Sequence, residues 1–293
     1  MTGPDPVLVV GTVAYDTIET PFEKAERVLG GSACYFATAS SLFTPTQLVS
    51  IVGGDFEMAA LDPLRERKVD LSGLEVREDE ATFHWSGEYH YDMNTRTTKA
   101  TDLNVLTSFD PVVPEGARDA PLVFLANIDP ELQLDVLDQV NDPRLVAMDT
   151  MNFWIEGKAD ALHEVLQRVD ILIINDEEAR ELADTPSLTQ AMRDIQKMGP
   201  NAVVVKKGEH GCMLANGTHW FSAPAYLHAD LHDPTGAGDA FAGGFMGTLA
   251  SLEQTTDKAL RKATVYGTAC ASLVIEAFGP HALSRASRED VEA

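Results

Sequence analysis

Lysine is scarce in this chain of 293 residues: 9 Lys and 13 Arg face 25 Asp and 21 Glu, for a formal net charge of −24. A surface so short of positive charge repels phosphate backbones and anionic headgroups, which excludes nucleic acid and membrane surfaces as partners through a basic patch. Long apolar runs are also missing. No stretch approaches the roughly 18 residues that a membrane helix needs. Cysteine is limited to Cys34, Cys212 and Cys270, an odd number without a C-x-x-C pair. These are expected to be reduced, buried thiols rather than a disulfide framework or metal centre. The N-terminal residues lack the basic stretch and cleavage site of a secretory signal, so the expectation is a cytoplasmic protein. No repeat, low-complexity segment or linker divides residues 1–293, and no run of five like charges gathers the acids into a tail. With 44% hydrophobic residues the chain is expected to fold as one domain, burying about three quarters of its unfolded surface.

What is present is a rhythm. Short apolar runs at Val7 to Gly11, Gln47 to Val52, Leu122 to Ala126, Leu145 to Met148, Ile171 to Ile174 and Ala202 to Val205 predict buried strands. Between them Pro130 to Val140, Ala159 to Arg168 and Pro186 to Met198 have helical spacing. The alternation predicts an α/β fold with a mostly parallel central sheet and helices on both faces. Ligands of such sheets sit beyond the C-terminal strand ends.

Residues 81–104 break this rhythm. Phe83, Trp85, Tyr89, Tyr91 and Met93 share one parity, and His84, Ser86, Glu88, His90 and Asp92 the other, as in an amphipathic strand or hairpin. It is either an extra edge hairpin or, as we prefer, a small β-lid over a substrate site or against another subunit, with partner strands from about 13–31. His84 and His90 on one strand face are expected to be exposed polar residues, not metal ligands.

The strongest chemical signal is DPTGAGDAFAGGF, Asp233 to Phe245. Ala240, Phe241, Ala242, Phe245, Met246 and Leu249 form an apolar helical face, so Gly236, Ala237 and Gly238 lie at a helix start with unpaired amides. Backbone without bulk at the positive end of a helix dipole is an anion cradle. A carboxylate there, Asp239, costs energy unless it has a task, such as accepting the proton of a hydroxyl that attacks a phosphoryl group. A glycine turn capped by an acid is the alternative. However, D-x-T-G-A-G-D arises by chance in on the order of one in 100,000 chains of this length.

This motif, with Gly30 and Gly31 in VLGGSACYFA, resembles the ribokinase-like (PfkB) carbohydrate and nucleoside kinases over nearly the whole chain. The resemblance implies a three-layer sandwich with a β-lid, and ATP and Mg²⁺ as cofactors. It implies Asp239 as catalytic base, with the Gly236, Ala237 and Gly238 amides holding the transferring phosphoryl and Thr235 beside the nucleotide. Asp16, after the first strand, matches a substrate-hydroxyl position, with Gly30 and Gly31 allowing close approach. Asn175 to Glu178 matches the family's N-x-x-E motif, which organises Mg²⁺ and its waters. KKGEHG resembles the nucleotide-side turn, giving Gly208, Gly211 and Lys206 or Lys207 as ATP contacts, against the alternative of a plain hairpin. Gly267, Thr268, Ala271 and Ser272 on the helix expected from Lys258 to Ala277 either line an adenine pocket or pack helices. Asp55 is expected to be a turn residue or helix cap, and Asn152 in MDTMN to reach substrate or Mg²⁺.

Pro234 inside the motif removes one amide donor. Several relatives bind a monovalent cation such as K⁺ beside this loop, but the tail EAFGPHALSRAS does not identify its ligands. The expected acceptor is a small sugar, with a nucleoside as the alternative because both present a ribose-like diol and the aromatic lid residues suit a base. The same rings equally suit a homodimer seam, and a silent ligand-binding homologue is the third reading. A dinucleotide oxidoreductase is excluded because no G-x-G-x-x-G follows the first strand. The acidity itself is not required by phosphoryl transfer, and it points to a salty cytoplasm in which self-repulsion is screened.

Overall fold

Valine, leucine and isoleucine in runs too short for helices line up as strands at the centre of the molecule. The computed structural model describes residues 4–227 and 230–293. In chain order its strands are β1 (Val7–Val10), β2 (Ala14–Glu19), β3 (Lys24–Gly30), β4 (Thr46–Gly53), β5 (Asp70–Arg77), β6 (His84–Tyr89), β7 (Arg96–Asp102), β8 (Leu122–Leu125), β9 (Leu145–Met148), β10 (Ile171–Asn175), β11 (Ala202–Lys206), β12 (Cys212–Asn216) and β13 (His219–Ala223). Nine of these form one sheet in the order β13-β12-β11-β10-β9-β8-β1-β4-β5, parallel except at the β11-β12-β13 edge.

The alternation of side chains along a strand divides the core into two layers. Val7, Val9, Leu122 and Phe124 face the helices Ser32–Ser40, Ala237–Leu252 and Asp257–Val274, where the Phe36 and Phe124 rings stack at 4.4 Å. Leu8, Val10, Val123 and Leu125 face Pro130–Gln139, Ala159–Leu166 and Leu188–Met198. Both faces are covered, which is what parallel pairing requires. Among the described residues no helix is long and apolar enough to cross a membrane, and the three cysteines are free and buried.

Strand order reverses at β1, whose neighbours are β4 and β8. The chain leaves the large sheet after β1 and again after β5, and these two excursions build a separate four-stranded sheet, β3-β2-β6-β7. Two hairpins, β2-β3 and β6-β7, meet along the parallel pair β2-β6. Ile18, Tyr89 and Met93 are buried together, against Val28, Trp85 and Phe278. The expected alternation ran to Met93, but the strand ends at Tyr89, and Tyr91 lies in the following turn, 82% exposed beside Phe22. His84 Nε2 meets Thr17 Oγ1 at 2.9 Å, and His90 Nε2 meets Thr97 Oγ1 at 2.9 Å. Both histidines therefore tie strands or turns together, and among the described residues no cluster suited to a metal includes them. Asp55 lies in the turn that follows β4, as expected, and its side chain does more. It accepts from Thr82 N and Oγ1, both at 2.7 Å, and from Arg27 Nη2 at 3.0 Å, joining the small sheet to the body.

Candidate active site

Gly236 caps the helix Ala237–Leu252 in the left-handed region, with φ +76°. A methyl group there would stand 2.4 Å from the Tyr35 ring, so backbone strain and contact both demand glycine. The loop before it is tied down by Asp233, which is fully buried and accepts from the amides of Thr235 at 2.9 Å and Gly279 at 3.4 Å. Ala237 N–H is spent on Pro234 O at 3.2 Å. Of the three amides expected to hold an anion, those of Gly236 and Gly238 thus remain without an acceptor among the described residues. Ala237 contributes its small side chain rather than a free donor.

Asp239 follows in the first turn. Burial pushes its carboxyl up to about 7, the charge of Asp149 adds to this, and Lys206 and Arg96 oppose it. Asp149 lies just past β9, where Lys206 at the end of β11 donates to its Oδ2 at 3.1 Å. The same Lys206 Nζ lies 2.9 Å from where a Cβ of Gly238 would be. Burial depresses this ammonium, but Asp149, Glu178 and Asp239 more than compensate and keep it cationic. Lys206 is therefore the lysine that faces the centre, whereas Lys207 is held in the turn by its backbone, donating to Gly211 O and accepting from His210 N.

Asn175 ends β10, and its side chain accepts from Glu178 N at 2.8 Å while Glu178 Oε2 accepts from Asn175 N at 2.9 Å. This reciprocal cap starts the helix Asp176–Leu182 and holds Glu178 buried. Burial, then the charge of Asp149, pushes the Glu178 carboxyl up to about 7. The buried Asp149 and Glu178 and the half-buried Asp239 thus share one lysine. Such a site is short of positive charge and fits a divalent cation. Among the described residues no three carboxylates or imidazoles converge on one point, so the fit is to a hydrated ion held partly through water.

Across the switch point, Asp16 on β2 is 5% exposed, and its carboxyl makes no hydrogen bond among the described residues. Burial, then Asp233 and Asp239, pushes it up to about 8. A Cβ on Gly30 would lie 1.9 Å from Asp16 Oδ2, so the carboxyl occupies the space that any other residue would fill. Gly31 abuts the carbonyl of Thr12 and begins the helix Ser32–Ser40, whose first amides bond to Thr12.

Other expected residues fall further from this centre. Asn152 Nδ2 engages Glu181 on the neighbouring helix, and no contact brings it to Asp16 or Asp239. Thr268 Oγ1 donates to Thr264 O and touches Cys212 Sγ at 3.6 Å, beside the start of β12. Gly267 packs against Phe241 of the helix Ala237–Leu252. Gly208 and Gly211 form the turn between antiparallel β11 and β12, with Gly211 pressed on Ala223 O. Thr235 Oγ1 bonds to Tyr89 Oη of the small sheet at 3.1 Å. Asp149 and Arg96 are the site residues that sequence reasoning missed, and Tyr89, expected as a lid ring, meets the motif loop through its hydroxyl. Only Asp149 carried a signal, as the last acid of a predicted strand edge.

The pfkB family carbohydrate kinase model matches residues 6–286, and the chain belongs to that family. Its fold is ribokinase-like. A cytidine kinase from Thermococcus kodakarensis is 29% identical over 245 residues, covering 82% of this chain and 87% of that one. The structure of Arabidopsis thaliana ribokinase complexed with ribose and ATP superposes with TM-score 0.79 at 22% identity, covering 99% and 98% of the chains. Burkholderia thailandensis nucleoside kinase in complex with inosine gives 0.79 at 21% identity, covering 97% and 96%.

Proposed function

We propose that this kinase transfers the γ-phosphoryl group of ATP to a hydroxyl of a small polyhydroxylated acceptor, a sugar or the ribose of a nucleoside. The observation that carries the proposal is the pairing of Asp239 with the unspent amides of Gly236 and Gly238 at one helix start, facing an unpartnered Asp16. Asp16 and the backbone at Gly30 and Gly31 hold the acceptor's hydroxyls. Asp239 takes the proton of the attacking hydroxyl as its oxygen bonds to phosphorus, and the bond to the ADP oxygen breaks. Gly236 and Gly238 donate to the transferring group, with the Lys206 ammonium beside them. Asn175 and Glu178 hold hydrated Mg²⁺, which neutralises phosphate charge when bound. Gly208 and Thr268 belong to the nucleotide side. Asp233, the buried anion behind the loop, is satisfied by two amides, and the proposal assigns no step to a monovalent cation. The relative named cytidine kinase, similar across most of both chains, favours a nucleoside acceptor over a free sugar.

An ADP-release assay with ribose, fructose, 2-keto-3-deoxygluconate, adenosine, inosine and cytidine tests this reading, and no turnover on any would favour a silent homologue. Asp239→Asn should lower the rate by about 10²–10⁴-fold and leave ATP affinity within a few fold. Retention of more than about a tenth of the rate removes Asp239 as base. The base must be ionised, so the wild-type rate should fall as pH drops below about 7.

A further inference from the structure

The small sheet touches both halves of the site. β6 and β7 are joined by the turn 90–95, whose Asp92 side chain accepts from the amides of Asn94 at 3.1 Å and Thr95 at 2.9 Å and from Thr95 Oγ1 at 2.7 Å. Met93, with φ +52°, buries its side chain in the sheet's own cluster, so the turn is anchored from below. This rigid turn carries Asn94 to the nucleotide-side loop. A methyl on Gly208 would lie 2.5 Å from Asn94 Oδ1. Gly208 therefore admits the Asn94 side chain as well as adopting φ +52°. The Nδ2 hydrogens of Asn94 have no acceptor among the described residues.

Two neighbours fix the direction in which the hairpin faces. Tyr89 Oη reaches Thr235 Oγ1 at 3.1 Å. Arg96 is directly opposite Tyr89 in the β6-β7 ladder, and directly opposed residues project to the same face. Arg96 is also close enough to act electrostatically on Asp239 and Glu178. In a chain with few lysines, a neutral amide with free donors held at a phosphate-side turn is a ready partner for phosphate oxygens.

We propose that Asn94 is a nucleotide-binding residue, donating through Nδ2 to the phosphates of ATP, so that the small sheet contacts the phosphate donor as well as the acceptor. This rests on the kinase reading above. Binding of a non-hydrolysable ATP analogue with Mg²⁺, measured by calorimetry without acceptor, tests it apart from activity. Asn94→Ala should weaken the analogue about tenfold, as expected for loss of a hydrogen bond to a charged group. Asn94→Asp, equal in size but anionic, should weaken it further and recover part of the loss with added salt. Asn94 lies in an exposed turn, so its replacement removes no core contact. Wild-type binding with Asn94→Ala within twofold of it would overturn the assignment while leaving the kinase reading intact. Failure of the wild type to bind the analogue would overturn both.

Discussion

The large and small sheets obey opposite rules. Every residue of β1, β8 and β9 is buried, and their specificity lies in apolar packing on two faces. Every residue of β7 is exposed, and β3 buries only its last two. The large sheet therefore stores stability, and its strand ends hold charges that the interior would otherwise reject. The small sheet contributes little core, but it brings Asp16, Tyr89 and Arg96 to the motif loop and helix start, and Asn94 to Gly208. Substitutions should separate along the same line, as stability in one sheet and affinity in the other.

Lys206→Met gives the largest expected stability change. It leaves Asp149 buried without its cation, and removing one partner of a buried pair costs about 3–5 kcal/mol. Urea unfolding measures this through a lower midpoint at unchanged slope. A loss under about 1 kcal/mol would mean that the pair is solvated and that the strand ends do not hold charge as described.

The counterpart in the small sheet is Gly30→Ala. Its methyl would stand 1.9 Å from Asp16 Oδ2, and the short side chain must turn away. Overpacking here should cost only about 1 kcal/mol, because the sheet yields more easily than the core. The acceptor KM should rise about tenfold or more, while the ATP KM stays near wild type. If instead stability falls as far as in Lys206→Met and the acceptor KM does not move, the division between the sheets fails.

The same division explains what the sequence could disclose. Strands β1, β4, β8, β9, β10 and β11 were legible to within a residue or so, because burial on both faces writes itself as an unbroken apolar run. The glycine-framed Asp239 was legible because it is local: loop, helix start and carboxylate are contiguous. The Lys206 to Asp149 pair was not, since 57 residues separate its members and only the parallel register of β9, β10 and β11 brings them together. Nor was the outward turn of Tyr91, because alternation reports a strand's faces but not where the strand stops. Asn94 and Arg96 lie in polar sequence with no periodic signal, and their importance appears only when the hairpin is placed over Gly208 and the motif loop.

The smallest expected effect concerns the charge itself. With 22 Lys and Arg against 46 Asp and Glu, the acids outnumber the bases by 24 (46 − 22). Exposed like charges repel over about 10 Å at 0.1 M salt and about 3 Å at 1 M, whereas buried groups are screened far less. Salt should therefore act on the two sheets unequally. Raising KCl from about 0.1 to 2 M should lift the thermal midpoint by a few degrees. Amide protection should grow more in β6 and β7 than in β1 and β8, whose hydrogen bonds lie beneath two layers of helices. Equal gains in both sheets would mean that salt acts by strengthening apolar burial throughout and not by screening. An unchanged midpoint would remove the salty-cytoplasm reading of the acidity, leaving the excess of Asp and Glu as a device for solubility alone.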